Sequence, residues 1–474
     1  MSNDAIASVP LPPAASARVV LIASAAAMGG FLFGFDTAVI NGAVDAVRAG
    51  FGLSAVWTGF AVSCALLGSA LGAWYAGPVA DRAGRVRTMQ LAAVLLAISA
   101  LGSGLAGSVW TLIAWRLLGG VGVGIASVIA PAYIAEISPA HIRGRLGSMQ
   151  QLAIVLGIFA ALLSDAWLAS SAGGAAAPSW LGLDAWRWMF IVAVLPALVY
   201  GALVLSVPES PRHLVAKARH QEARTVLRSV LGLHDEDGLE RKLAAIRASL
   251  QRDHNPALGE LRGANGGLLR VVWIGILLSV LQQFVGINVI FYYSSTLWHS
   301  VGFSEADAFD ITVGTSIVNV LVTLVAIALV DRVGRKPLLL VGSAGMAVTL
   351  ALMAWCFSQA TGSGATLSLP GALGPVALVA ANAYVVFFGL SWGPMVWVLL
   401  GEMFPNRIRA LALAVAAAAQ WLANFAVTST FPWLAQIGLP FAYGLYATFA
   451  ALSLLFVLVA VRETNGVELE DMPH

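Results

Sequence analysis

Hydrophobic residues in this chain fall into long, nearly unbroken runs, without the short alternation of a half-buried strand or the single apolar stripe of a soluble helix. Twelve runs are long enough to cross a bilayer as helices, with limits near 19–43, 55–79, 88–107, 110–135, 146–168, 185–206, 268–298, 309–330, 337–357, 373–400, 410–435 and 441–461. A longer polar segment parts the first six from the last six. The expected organisation is a short disordered tail (1–18), a six-helix bundle (19–206), a cytoplasmic helical linker (207–267), a second six-helix bundle (268–461) and a closing tail (462–474). The linker places Arg224, Arg228, Glu240, Arg241, Lys242 and Arg247 around Val226, Leu227, Leu243, Ile246 and Leu250, a pattern of short amphipathic helices on the membrane surface.

Composition sharpens this reading. Of 474 residues, 59% are hydrophobic and only 11% charged, with a mean hydropathy of +0.85, which no soluble domain of this length could bury. Residues 1–17 carry Pro10, Pro12 and Pro13 and lack the apolar core of a secretory signal. The net charge of +2 matters less than where the charges sit. If every run spans once, 23 of the 26 Lys and Arg fall on one side; Arg48, Arg187 and Arg116 are the exceptions. The positive-inside rule then places both termini and the linker in the cytoplasm, around a multi-pass protein of the cell (inner) membrane. Cys64 and Cys356 lie in different runs and read as buried reduced thiols.

The seventh run holds an unusual polar set: Gln282, Gln283, Asn288 and Tyr292 around Gly286. On a regular helix Gln282, Asn288 and Tyr292 fall within about 120° of one another. Gln283 leaves that arc unless the helix loosens, and Gly286 is the residue that permits it. Amides in lipid also staple helices together. Four polar groups on one helix, beside aromatics, point instead to a site for an uncharged, hydroxyl-rich ligand.

The chain also repeats itself. Asp81-Arg82-Ala83-Gly84-Arg85 recurs as Asp331-Arg332-Val333-Gly334-Arg335. Glu136, Pro139, Ile142 and Arg143 recur as Glu402, Pro405, Ile408 and Arg409, and Glu209-Ser210 as Glu463-Thr464. Each pair closes corresponding runs on the basic side, which implies two parallel repeats with a ligand site between them.

With these motifs the sequence resembles the sugar porter family of the major facilitator superfamily over nearly its whole length, nearest to bacterial proton-coupled xylose and glucose porters. Gly34-Phe35-Asp36, both Asp-Arg-x-Gly-Arg loops, Pro208-Glu209-Ser210-Pro211-Arg212, the Gln282 to Asn288 motif, Trp392-Gly393-Pro394 with Trp397, and Gln420-Trp421 carry the resemblance. Two departures stand out. The closing motif reads Arg462-Glu463-Thr464-Asn465-Gly466, and Ala193 stands where some proton-coupled relatives hold an acidic residue. The resemblance implies an all-α major facilitator fold of twelve transmembrane helices working by alternating access. It implies a ligand set of Gln151, Gln282, Gln283, Asn288, Tyr292, Asn319, Trp397, Gln420 and Trp421, with Phe33 and Trp392 as apolar walls. Amides suit vicinal hydroxyls and indoles suit the C–H face of a pyranose.

Two charge systems remain. Asp36 and Arg116 are read as the only ionisable side chains well inside the runs, at about seven and six residues from the outer ends, hence at similar depth and able to pair. They form either a static ion pair or a proton site whose protonation releases Arg116. On the basic side, Asp81, Arg82, Arg85, Glu136, Arg143, Glu209 and Arg212 in one half, and Asp331, Arg332, Arg335, Glu402, Arg409 and Glu463 in the other, form a candidate latch between states. No Walker A sequence, metal spacing or catalytic triad emerges, so no enzyme, metal or organic cofactor is expected. The seven histidines read as solvated or interfacial. The expected function is uptake of a neutral monosaccharide, an aldose such as glucose, xylose or galactose, with the proton as coupling ion. The expected partners are the sugar and the lipid bilayer, with no nucleic acid, and the chain is expected to be a monomer. A facilitative uniporter, a polyol porter and a non-transporting sugar sensor are the competing readings.

Overall fold

The computed structural model describes residues 13–138, 143–231, 235–252, 258–263, 267–361, 368–405 and 408–463. Nineteen α-helices are present among them. The first six crossings are built from α1 (Pro13–Ala38) with α2 (Ile40–Phe51), α3 (Ala55–Ala83), α4 (Arg85–Gly104), α5 (Val109–Ile137), α6 (Arg143–Ala172), and α7 (Ala185–Val192) with α8 (Val194–Ser206). Then come α9 (Pro211–Ala216), α10 (His220–Leu231) and α11 (Glu236–Arg252). The last six crossings are α12 (Arg270–Phe284) with α13 (Ile287–Ser300), α14 (Glu305–Val333), α15 (Arg335–Ser358), α16 (Leu373–Leu390) with α17 (Trp392–Met403), α18 (Arg409–Ile437) and α19 (Leu439–Ala460). All twelve predicted crossings are therefore helices long and apolar enough to span.

Two expectations at the edges of the first crossing change. Helix α1 begins at Pro13, so 13–18 is helical and not a disordered tail; proline at the first position is pre-set for helix and an alanine-rich run continues it. The crossing runs to Phe51, where Gly52 ends α2 in the left-handed region at φ 62°. Residues 1–12 and 464–474 lie outside the described residues.

Within the first half α3 packs on α5, α1 on α6, and α4 on α5 and α8; within the second, α15 packs on α19 and α16, and α12 on α18. The halves meet along two long seams, α3 with α18 and α6 with α14, and again where α2 meets α13. Helices α10 and α11 turn Ala223, Val226, Leu227, Val230, Leu239 and Leu243 inward, onto the apolar core of the first half. Their charged faces are laced by Arg224–Glu240 and Arg228–Glu236 ion pairs. They thus dock on protein, where the amphipathic pattern alone had suggested the membrane surface. Cys64 and Cys356 are buried free thiols, as expected.

The internal repeat has a physical basis. Gly84 and Gly334 break the chain at φ 97° and 94°, a conformation that side chains strongly disfavour. The helix after each break opens with unpaired backbone N–H groups. Glu209 accepts from the amides of Arg85 (2.9 Å) and Val86 (3.3 Å), and Glu463 accepts from those of Arg335 (3.0 Å) and Lys336 (2.9 Å). Each carboxylate so caps a helix start with the charge sign that the dipole favours. Arg85 then grips Glu136 bidentately (3.1 and 3.0 Å), and Arg335 donates to Glu402 (3.0 Å). These contacts join helices of the same half. Arg82 and Arg332 are exposed and Arg212 is half-buried. The side chains of Arg143, Asp331 and Arg409 lie outside the described residues.

His213 departs from expectation. It is buried at the start of α9, and Arg85 donates to its Nδ1 at 3.2 Å. That contact requires a neutral ring, and burial holds the imidazole below its usual value, with the nearby Glu209 carboxylate opposing the shift.

A methyl group at Gly84 or Gly334 would lie 2.3 or 2.9 Å from the capping carboxylate, besides forcing the positive φ. Gly84→Ala and Gly334→Ala are each expected to destabilise the fold by about 1–3 kcal/mol. Gly77→Ala, in a helix with open space beside it, is expected to be neutral or stabilising. Thermal unfolding in detergent checks the three together.

Candidate functional site

The seventh crossing is two helices, and the break lies at the predicted glycine. Helix α12 ends at Phe284, and Gly286 enters α13 in the left-handed region at φ 86°. A side chain there would also meet the Tyr446 ring, at 2.8 Å from an ideal Cβ. The break brings the off-arc Gln283 into line. Asn288 donates to the Gln283 carbonyl oxygen (2.5 Å), Gln283 donates to that of Gln282 (3.2 Å), and Gln282 donates to the backbone carbonyls of Trp392 (2.8 Å) and Gly393 (3.3 Å). This amide ladder links the break in α12–α13 to a second one, between α16 and α17 at Ser391.

The ladder's deep end is saturated. Gln282 and Gln283 are buried, and Trp392 is fully buried with its indole N–H donating to Ser343 (2.8 Å). Trp392 is thereby a fixed support for the amides and presents no open face. The shallow end is Asn288, which is half-buried and keeps a carbonyl and an N–H that the ladder does not spend.

The other predicted residues are drawn from both halves. Tyr292 is buried, with its hydroxyl beside Thr37 of α1 and Asn424 of α18. Phe33 of α1 meets Trp421 of α18 with ring centroids 5.6 Å apart. Gln420 holds a buried carbonyl oxygen without a partner. Asn319 is buried on α14, Gln151 is half-buried on α6, and Trp397 on α17 is 44% exposed. Two residues escaped the sequence reading. Asn424 is buried and accepts from Thr428 (3.0 Å). Gln150 is buried against Gly30 with both amide atoms unpartnered. The neighbouring Gln151 masked the latter, because adjacent residues on a helix point about 100° apart and only one could be assigned to the ligand face.

Asp36 and Arg116 do pair. The guanidinium donates to the Asp36 carboxylate (3.4 Å) and more closely to its backbone carbonyl (3.0 Å), and it lies over the Phe190 ring at 5.6 Å. The depth argument found the partner through wrong helix ends, since α2 carries the first crossing beyond its predicted limit. These two are also not the only buried ionisable groups in the crossings. Asp165 of α6 is fully buried. The predicted crossing ended at 168, but the helix continues to Ala172, so this carboxyl lies deeper than its place in the run suggested.

On the side away from the basic loops the halves are joined. Asn41 of α2 donates to the Phe291 carbonyl (2.9 Å) and accepts from the Ser295 amide (3.3 Å), and the Ser295 hydroxyl donates to the Asn41 carbonyl (2.8 Å). The Ala175 amide donates to Glu305 (2.9 Å), which ties the loop after α6 to α14 of the other half.

Comparison with known proteins gives the family. Residues 22–474 match the family described as "Sugar (and other) transporter". The chain is 58% identical to a glucose transport protein of Synechocystis, over 96% of this chain and 97% of the other. It is 37% identical to the D-xylose-proton symporter of Escherichia coli K12, over 96% and 95%. A solved structure of the E. coli xylose transporter, in a partially occluded inward-open conformation, superposes with a TM-score of 0.82 at 36% identity, over 95% of this chain and all of that one. The architecture is the major facilitator fold, no enzyme is involved, and the chain belongs to the sugar (and other) transporter family of multi-pass membrane proteins.

Proposed function

We propose that this protein moves a neutral monosaccharide, an aldose such as glucose, xylose or galactose, into the cell by alternating access, in symport with a proton. The observation that carries this reading is the amide ladder, anchored on backbone carbonyls at its deep end and open at Asn288. Neutral donors and acceptors in fixed order suit hydroxyl groups and offer nothing to a charged solute. Phe33, Trp421 and Trp397 supply flat apolar faces for the sugar ring, and Gln420, Asn319 and Gln151 supply further amides. The relatives named as a glucose transport protein and a D-xylose-proton symporter support the substrate class and the coupling ion.

Asp36 is the proton carrier in this reading and Arg116 its switchable partner. Proton transfer to the carboxylate removes the charge that holds the guanidinium, which then relies on the backbone carbonyl and the Phe190 face. The charged sets on the basic side, which is the cytoplasmic side with both termini, set the balance between outward-open and inward-open states. Each half acts as a rigid body because its helices are tied by Arg85–Glu136 or Arg335–Glu402. The protein works as a monomer.

Counterflow in proteoliposomes with a panel of sugars, with and without a pH gradient, tests the function; exchange of no monosaccharide would reject it. In the same vesicles Asp36→Asn is expected to abolish accumulation driven by an imposed pH gradient yet to retain counterflow. Accumulation by the variant would show that Asp36 does not couple.

Asn288→Ala removes hydrogen bonds from sugar hydroxyls, and Gln283→Ala removes the partner that holds Asn288 in place; each is expected to weaken binding by about 5- to 150-fold, the equivalent of roughly 1–3 kcal/mol. Gln282→Ala is expected to do the same indirectly, by freeing Gln283 and cutting the ladder from its anchor on α17. Calorimetry on folded variants measures all three.

Glu402→Ala is expected to slow transport more than it weakens sugar binding, because it loosens a helix tie far from the amides and acts on the balance between states. Parallel measurement of initial uptake rate and calorimetric affinity checks that split.

A further inference from the structure

Asp165 has no part in the mechanism above, and its surroundings are unusual for a carboxyl group. It is fully buried on α6, about 10 Å from the helix end on the side away from the basic loops. One carboxyl oxygen accepts from the backbone N–H of Gly42 at 3.3 Å, and the other has no partner. Gly42 admits the group only because it lacks a side chain: an ideal Cβ there would lie 2.8 Å from Asp165 Cβ and 2.8 Å from the sulfur of Met189.

Charges on the packed elements are committed elsewhere or face outward. On α5, Arg116 is held by Asp36; on α7, Arg187 donates to the carbonyls of Gly104 and Ala106 and stacks on Trp186. Of the groups on α2, Arg48 and Asp45 are both exposed. On α14, Glu305 takes the Ala175 amide, Asp307 takes the Ser304 hydroxyl and Asp310 is exposed. Among the described residues no cation pairs with Asp165. An ionised carboxylate held by one long hydrogen bond in a dry site is far costlier than an acid with one unpaired hydroxyl. The neutral acid is the species that fits.

The neighbour of Gly42 is Asn41, whose three hydrogen bonds to α13 join the two halves on this side. We propose that Asp165 is a second proton-binding site, and that its occupancy by a proton is required for α2 to seat on α13 and close that side. The inference rests on the alternating-access reading and extends it to a carboxyl outside the Asp36–Arg116 pair. When the halves part on this side, water reaches the α2–α6 contact, and the acid gives its proton to that water and becomes a carboxylate. For closure the carboxylate takes a proton back from the same aqueous phase. No net charge then enters the dry contact.

The test needs no sugar. Spin labels at Gly50→Cys on α2 and Ala306→Cys on α14, both exposed, report the separation of the halves. The wild-type label pair is expected to shift from short to long distances as pH rises, and Asp165→Asn, which keeps the size and the acceptor but cannot ionise, is expected to stay short throughout. A pH response in the variant equal to that of wild type, or none in wild type, would overturn the proposal. Infrared spectroscopy gives a second readout on chains that fold. A protonated-carboxyl band is expected in Asp36→Asn and should vanish in the Asp36→Asn/Asp165→Asn double variant. Its absence from Asp36→Asn would refute the neutral acid, whatever the chain transports.

Discussion

A polar group in hydrocarbon has no water to fall back on, so it must find its partner in the protein. That constraint orders this structure more than any single contact does. It makes the crossings helices, because only a helix satisfies its own backbone. Where a helix breaks, the freed groups must be met by side chains, and here they are met in two distinct ways. On the basic side the breaks at Gly84 and Gly334 expose N–H donors, and carboxylates of Glu209 and Glu463 take them. In the membrane interior the break at Ser391 brings the first-turn carbonyls of Trp392 and Gly393 within reach of the Gln282 amide, which donates to both. Charge caps the ends that touch water, while neutral amides serve the interior.

Much of this was legible in the sequence, for the same reason. Lipid forces long apolar runs, so every crossing could be counted. A glycine among polar residues announced a broken helix, and Gly286 is where the seventh crossing breaks. Matching Asp-Arg-x-Gly-Arg and Glu motifs announced two halves, and the two capped helix starts superimpose residue for residue in their bonding. What stayed hidden depended on the third dimension. Asp165 looked peripheral because an apolar run does not fix where a helix stops. His213 looked solvated because nothing local says that Arg85 will lie against it. Trp392 looked like a wall of the site, yet its backbone carbonyl and not its ring is what the ligand helix uses. Asn424 lies in an alanine-rich helix whose ligand face could be set only after packing was known.

The site also divides its chemistry between the halves. The amide ladder belongs to α12, α13 and α17, all in the second half, while the buried ionisable groups Asp36, Arg116 and Asp165 belong to the first. Neither system can influence the other unless something spans the interface. Helix α13 does so at two levels. Near its start Asn288 ends the ladder; one turn later Tyr292 reaches Thr37, the residue after Asp36, and also Asn424. Nearby, Phe291 and Ser295 hold Asn41, the residue before Gly42 and hence beside the Asp165 contact.

This arrangement gives coupling a physical path in the sense of a shared two-state element. A ligand that draws Asn288 toward itself moves the first turn of α13, and the same rigid helix carries the hydroxyl and the backbone groups that touch α1 and α2. Two contacts on one helix cannot shift independently, because the helix between them is a closed ladder of backbone bonds. In the proposed mechanism sugar occupancy therefore changes the surroundings of residues flanking both carboxyls of the first half, and by reciprocity a change of charge there changes how α13 presents Asn288. The asymmetry between halves is what makes such linkage useful. A site with amides and charges mixed on one bundle would bind sugar and proton side by side, with no need for the halves to move. Parting them across the interface makes closure the event that both must favour.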